Sequence, residues 1–206
     1  MGKIFCIMGK SSSGKDTLYK QILEENALSL SRIILYTTRP IRSDETDGVE
    51  YFFTDEKHLD ELEEAGKVIE LRAYHTVHGV WKYFTVNDGQ IDLDQGNYLM
   101  IATLEAYTKI REYFGAAAVV PVYIEVEDGL RLHRAIERER RQKEPKYKEL
   151  CRRFLADAED FSEEKLAKAG IEKRFLNIDL ERTQKEILDY ISSFITGGKS
   201  DGFKSK

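Results

Sequence analysis

Apolar residues along this chain gather in short unbroken runs that alternate with helical periodicities. Lys3 to Met8 is the first run. A Gly/Ser loop follows from Gly9 to Gly14, then a helix from about Lys15 to Glu25 in which Leu18, Ile22 and Leu23 share one face. Ile33 to Thr37 reads as a second strand. From Val49 to about Thr85 the pattern shortens into β-like runs, Tyr51 to Thr54, Lys67 to Leu71 and Trp81 to Thr85, around one charged helix from Glu56 to Ala65. Asn97 to Ala102 and Ala118 to Val126 read as further core strands, with a helix between them ending near Phe114. Two charged helical stretches come next, Gly129 to Lys143 and Lys146 to Phe161. A short strand, Arg174 to Ile178, and an amphipathic helix, Thr183 to Phe194, close the pattern. Strands alternating with helices predict an α/β fold, a three-layer sandwich with a parallel core sheet.

The 206 residues suffice for one well-filled core, and no Gly/Ser-rich linker divides them. One domain is expected, with a core of 1–35, 90–128 and 160–196. The short-strand region, about 36–89, reads as an inserted small α+β subdomain, and 129–159 as a helical excursion. The tail, 197–206, lacks apolar periodicity and is expected to fray. With 37 acidic against 32 basic residues the formal charge is −5, which gives no reason to expect a polynucleotide partner. Basic residues cluster locally from Arg134 to Arg141 and from Lys146 to Arg153, which suits a small polyanion. Cys6 and Cys151 make neither a disulfide framework nor a metal site. No segment approaches the roughly 18 apolar residues of a membrane span. A cytoplasmic protein without a membrane partner is expected; monomer and homo-oligomer both stay open.

The loop Gly9-Lys10-Ser11-Ser12-Ser13-Gly14-Lys15 has the spacing G-x-x-x-x-G-K, between an apolar strand and an amphipathic helix. Such a loop turns backbone N–H groups inward to cradle phosphate oxygens, and the helix N-terminus behind it adds positive potential. The plainer alternative, a Gly/Ser turn joining strand to helix, leaves the lysine unexplained. Gly9, Ser11, Ser12, Ser13, Gly14, Lys15, Asp16 and Thr17 are the candidate donor-binding residues. Asp16 stands where the strict pattern has Ser or Thr. A carboxylate is also a hard oxygen ligand suited to Mg²⁺, so Asp16 is expected near that ion while Thr17 takes over the hydroxyl's role.

A second anion site is suggested by Arg39 and Arg42, two planar donor forks three residues apart, with Tyr51 adding a hydroxyl. The run from Thr37 to Phe53, T-T-R-x-x-R-x-x-E-x-x-G-x-x-Y-x-F, resembles the acceptor-phosphate motif of guanylate kinases. The likeness extends over nearly the whole chain. It implies a P-loop nucleoside monophosphate kinase, with 36–89 as the monophosphate-binding insert and 129–159 as the lid. It further implies that Arg39, Arg42 and Tyr51 hold the acceptor phosphate and that Glu45 orients the arginines. Gly66 to Glu70 resembles the family's short strand ending in a base-reading glutamate. A carboxylate at Glu70 accepts from both adjacent donors of guanine, whereas adenine leaves it poorly paired.

Other positions depart from the family. Bulky Leu35 replaces a small hydroxyl residue. His78 replaces a tyrosine, either to hydrogen-bond a phosphate or to pack. Ile101 and Thr103 stand where the family ends its third strand with two aspartates, so the strand-end carboxylate near the metal is missing. Its loss and the gain of Asp16 suggest an exchange of ligand positions. Leu130 to Arg138 resembles the lid helix whose arginines close over the donor, with Arg134 and Arg138 on one face. Arg153 fits the next lid arginine better than Arg152. Arg131, Arg140 and Arg141 read as ordinary solvated charges. Asn177 resembles the residue near the donor adenine.

Lys15, Arg39, Arg134, Arg138 and Arg153 are therefore the candidate catalytic residues, and Asp16 and Thr17 the candidate metal ligands. Arg39, Arg42, Glu45, Tyr51, Glu70, His78 and Thr103 are the candidates for the acceptor. The expected reaction is ATP-dependent, Mg²⁺-requiring transfer to a nucleoside monophosphate, foremost GMP. The alternatives are a kinase for another phosphorylated acceptor and a binding module that has lost catalysis.

Overall fold

The computed structural model describes residues 1–43, 45–76 and 79–196; His78 and the tail 197–206 lie outside them. Strand β1 (Ile4–Met8) is buried along its whole length, as a run flanked by neighbours on both edges and covered on both faces must be. It pairs in parallel with β7 (Asn97–Ile101) and β8 (Val119–Glu125). Outside these lie β2 (Leu30–Arg32) and β9 (Arg174–Leu176), giving a five-stranded parallel sheet of order β2-β7-β1-β8-β9. The period of two along β1 divides the core. Phe5 and Ile7 pack toward Leu18 and Ile22 of α1 (Lys15–Glu25) and Ile187 and Ile191 of α7 (Leu180–Thr196). Ile4, Cys6 and Met8 pack toward Ala106, Tyr107 and Ile110 of α3 (Leu104–Phe114).

A second sheet of four strands has the order β4-β3-β6-β5. It contains β3 (Tyr36–Thr37), β4 (Phe52–Phe53) and the long hairpin of β5 (Val68–Thr76) and β6 (Gly79–Val86). Helix α2 (Glu56–Glu64), whose first turn is capped by the Asp55 carboxylate accepting from the His58 N–H, brings Leu59 onto Phe84 and Val86. Of the expected strand Ile33–Thr37 only Tyr36–Thr37 is strand, in the second sheet, while Leu30–Arg32 just before it joins the core sheet. Ile33 stays buried in the core, and the chain then leaves it. At the crossing the Gln90 side chain accepts from the Ile34 N–H (2.8 Å) and donates to its carbonyl (3.2 Å). One amide thereby serves a residue that has no strand partner.

The hairpin strands are longer than the pattern predicts, because β5 continues through the polar stretch after Leu71. Helices α4 (Asp128–Arg140) and α5 (Tyr147–Asp160) match the two charged stretches. A six-residue helix, α6 (Glu163–Lys168), was not expected; Ser162 caps it and Leu166 is buried beneath it. Among the described residues no helix is long and apolar enough to cross a membrane.

Candidate active site

A cavity of about 1990 Å³ opens between the C-terminal end of the parallel sheet, the second sheet and α5. Gly9, Ser11, Lys15 and Asp16 border it at one end, and Tyr51, Arg72, Tyr83 and Thr103 at the other. Ligands of open α/β sheets sit at this edge because the loops leaving the strand ends diverge there.

The phosphate loop is held from behind. Gly14 has φ 86°, and a Cβ there would come within 2.4 Å of the Asn177 amide. Asn177 Nδ2 donates to the Ser13 carbonyl (2.8 Å) and is only 2% exposed. Asn177 therefore supports the loop from inside the protein instead of bordering the cavity beside a donor base, as the resemblance implied. Ser12 adopts φ 64°, a left-handed conformation that a serine holds only when its surroundings enforce it. The buried hydroxyls of Ser12 and Ser13 have no hydrogen-bond partner within the protein, which is rare unless a ligand supplies one.

Lys15 Nζ lies 3.3 Å from Asp16 Oδ2, both beside the cavity. The Asp16 side chain is 70% exposed, and Lys15 is its partner. Thr17 does not join it: one step further round α1, it is exposed and outside the cavity wall. No cluster of three or more His, Cys, Asp or Glu suited to a metal occurs among the described residues. Mg²⁺ commonly takes only one or two carboxylates, with phosphate oxygens and waters completing its octahedron. One exposed carboxylate beside a phosphate loop fits that requirement. Ile101 ends β7 at the cavity, so the strand contributes an apolar surface there.

Arg131 is a correction. It is 1% exposed, not solvated. Its guanidinium donates to the Ser11 carbonyl (2.9 Å), to Asp128 Oδ1 (2.9 and 3.1 Å) and to Asp157 Oδ2 (3.2 Å), and lies 4.5 Å over the Phe154 ring. Asp157 Oδ2 also accepts from the Ser11 N–H (2.8 Å). The N–H and the carbonyl of Ser11 are thereby both tied to side chains of α4 and α5. Arg138 and Arg153 both line a crevice beside this cluster, shared with Ser11 and Ser12. Arg153 and Arg152 both border the main cavity, and Arg152 is paired with Glu149. Arg134 turns away, donating to the Asn177 carbonyl (3.1 Å).

In the second sheet, Arg39 is buried and its Nη2 donates to Glu45 Oε1 (2.7 Å), while Glu45 Oε2 accepts from the Arg42 N–H (2.9 Å). One carboxylate thus fixes both arginine positions. The Arg39 hydrogen bond, opposed by partial burial, holds the Glu45 carboxyl below its ordinary value. Arg39 also lies 5.6 Å from the Tyr51 ring centre and 5.5 Å from that of Phe53. Burial pushes the Tyr51 hydroxyl pKa up. Neither Arg39 nor Arg42 borders the cavity; Tyr51 does.

Glu70 is fully enclosed, at 0% side-chain exposure. Its Oε1 accepts from Thr85 Oγ1 (2.8 Å) and Arg72 Nη2 (3.2 Å), and its Oε2 from Arg72 Nε (2.9 Å). Arg72, not Glu70, forms the cavity wall. Sequence reasoning singled out neither Arg72 nor Asp157. Opposite charges two apart on one strand face were a visible sign of the first. Nothing local marked Asp157, whose loop partner is 146 residues away.

The guanylate kinase family model matches residues 1–164. The chain belongs to the guanylate kinase family. It is 30% identical over 124 residues to a guanylate kinase of Syntrophomonas wolfei, covering 59% of this chain and 61% of that protein. It is 31% identical over 93 residues to one of Aliivibrio fischeri, covering 43% and 45%. In these matches the chain spans about half the length of the relatives. The crystal structure of guanylate kinase from Anaplasma phagocytophilum superposes with a TM-score of 0.66 at 20% identity, covering 93% of this chain and 85% of that one, which shows the shared fold.

Proposed function

We propose that this protein transfers the γ-phosphoryl group of ATP to a nucleoside monophosphate, foremost GMP, giving ADP and GDP. The observation that carries the reading is one cavity with a phosphate loop at one end and an aromatic and basic wall at the other. Phosphoryl transfer consists largely of positioning two phosphates and stabilising the charge that moves between them. Lys15 is suited to the donor's outer phosphates, and the unpartnered Ser12 and Ser13 hydroxyls to further phosphate oxygens. Arg153, which borders the cavity, and Arg138, in the adjoining crevice, would neutralise the transferring group. Asp16 would hold Mg²⁺, which supplies positive charge against the phosphates when bound.

Residues of about 36–89 would serve as the acceptor part and 129–159 as the lid. Arg39 and Arg42 stand back from the cavity, so this reading includes a closing movement that brings them to the acceptor phosphate and excludes water. A cytoplasmic setting, where ATP and nucleoside monophosphates are both available, suits such a reaction. The relatives named above give no support to a different acceptor. A coupled ADP-release assay with GMP, dGMP, AMP, UMP and CMP tests the proposal. GMP should be the best acceptor, and Lys15→Ala should lower kcat by about 10²-fold or more. Retained ATP binding without turnover of any acceptor would remove it.

A further inference from the structure

A base-reading carboxylate must present its oxygens to the ligand. At Glu70 it does not: the group is sealed from solvent and engaged by three donors, two from Arg72 and one from Thr85. Freeing it would strand two charges in a dry site, a heavy penalty unless both find new partners. Burial works against the Arg72 charge, but its attraction to Glu70 and the hydrogen bonds between them outweigh it, and its pKa is raised. The guanidinium therefore keeps its charge. Of the two, Arg72 borders the cavity, with 8% of its side chain exposed. Of its five N–H donors, Glu70 engages two, the Tyr74 hydroxyl also hydrogen-bonds the guanidinium, and a further one reaches Thr103 Oγ1 only at 3.4 Å, so the two weaker contacts are the ones a ligand would replace.

The neighbouring positions have changed in the same sense. Thr103 caps α3, its Oγ1 accepting from the Ala106 N–H (3.2 Å), and replaces one of the carboxylates expected from the resemblance. Ile101, which replaces the other, is apolar. At these two positions no carboxylate remains, and beside them stands the charged donor Arg72. Donors read acceptors. On a purine these are O6 and N7 of guanine, which an arginine fork matches in pairs. Hypoxanthine carries the same two atoms and lacks only the 2-amino group, while adenine sets an amino donor in place of O6.

Resting on the proposed kinase reading, we infer that Arg72, not Glu70, reads the acceptor base. It donates to O6 and N7, so the substrate class is the 6-oxopurine nucleoside monophosphates, GMP and IMP alike. Glu70 is a positioning residue that fixes the guanidinium's orientation.

The full chain is assayed for transfer from ATP to GMP, IMP, AMP and 7-deaza-GMP, and binding of the same four is measured by calorimetry. IMP should stay within about fivefold of GMP in kcat/KM, since the 2-amino group meets no acceptor. AMP should fall by about 10²-fold, and 7-deaza-GMP by about tenfold, the worth of a hydrogen bond to a charged group. An IMP penalty beyond fivefold would overturn the inference, because it would mean that a carboxylate pairs with the 2-amino group. So would AMP equal to GMP. Arg72→Ala leaves Glu70 buried and unpaired, so the double variant Glu70→Gln/Arg72→Gln supplies the second check. It should lose the preference for GMP over AMP, and a retained preference would also overturn the assignment. If nothing is turned over yet GMP binds, the kinase reading fails, and the ratio of GMP to IMP affinity decides this inference by the same fivefold limit. If none of the four binds, both fail.

Discussion

Removing Arg131 takes away the guanidinium that joins the Ser11 carbonyl, Asp128 and Asp157 in a nearly dry site. Arg131→Met should therefore lower stability by about 2–4 kcal/mol in urea unfolding, and weaken ATP binding by loosening the Ser11 peptide. Asp16→Ala is the opposite case: exposed and holding only Lys15, it should leave stability unchanged while raising the Mg²⁺ concentration for half-maximal turnover by about tenfold. Glu45 gives a pH dependence. Its carboxyl is depressed in the folded chain by the Arg39 hydrogen bond, with partial burial opposing, so its contribution is present above the ordinary value of 4.5 and is lost as pH falls below it. The stability difference between the wild type and Glu45→Gln, followed by thermal unfolding, should be largest near neutrality and shrink as the medium is acidified below that value. At this scale the sequence exposes residues whose chemistry is local: Lys15 and Asp16 in their loop, Arg39 and Glu45 six residues apart. It hides Arg131, because a buried arginine is identified by partners such as the Ser11 carbonyl, 120 residues away.

Elements were legible where one face of the chain repeats. β1 is an unbroken apolar run and β7 and β8 are mostly apolar, and α1, α3 and α7 carry apolar faces. Ile33 to Thr37 misled because an unbroken apolar run does not tell which sheet it joins. The crossing depends on Gln90, which lies beyond the whole insert. Helix α6 escaped notice because six residues are too few for a period to show; it exists because Ser162 caps it and Leu166 reaches the core. The meeting of α1 with the phosphate loop carries a sharp test. Gly14→Ala adds a Cβ within 2.4 Å of the Asn177 amide, at a φ of 86° that side chains resist. It should displace the loop and abolish ATP binding in calorimetry, while the β1 core remains folded by circular dichroism.

For the molecule as a whole, the parallel sheet supplies the phosphate loop and the second sheet supplies Tyr51 and Arg72, so neither sheet forms the cavity alone. The fold class and the family were readable from the order of motifs. The base-reading wall was not, because whether Glu70 or Arg72 faces the cavity depends on how a strand is turned and what encloses it. The account's central claim is transfer between two nucleotides in that shared cavity. The most direct measurement is quantitative separation of products after the full chain is mixed with ATP, Mg²⁺ and GMP. The account predicts GDP and ADP in equal amounts, with no free phosphate beyond background. ADP released with phosphate and without GDP, or no product at all, would contradict it.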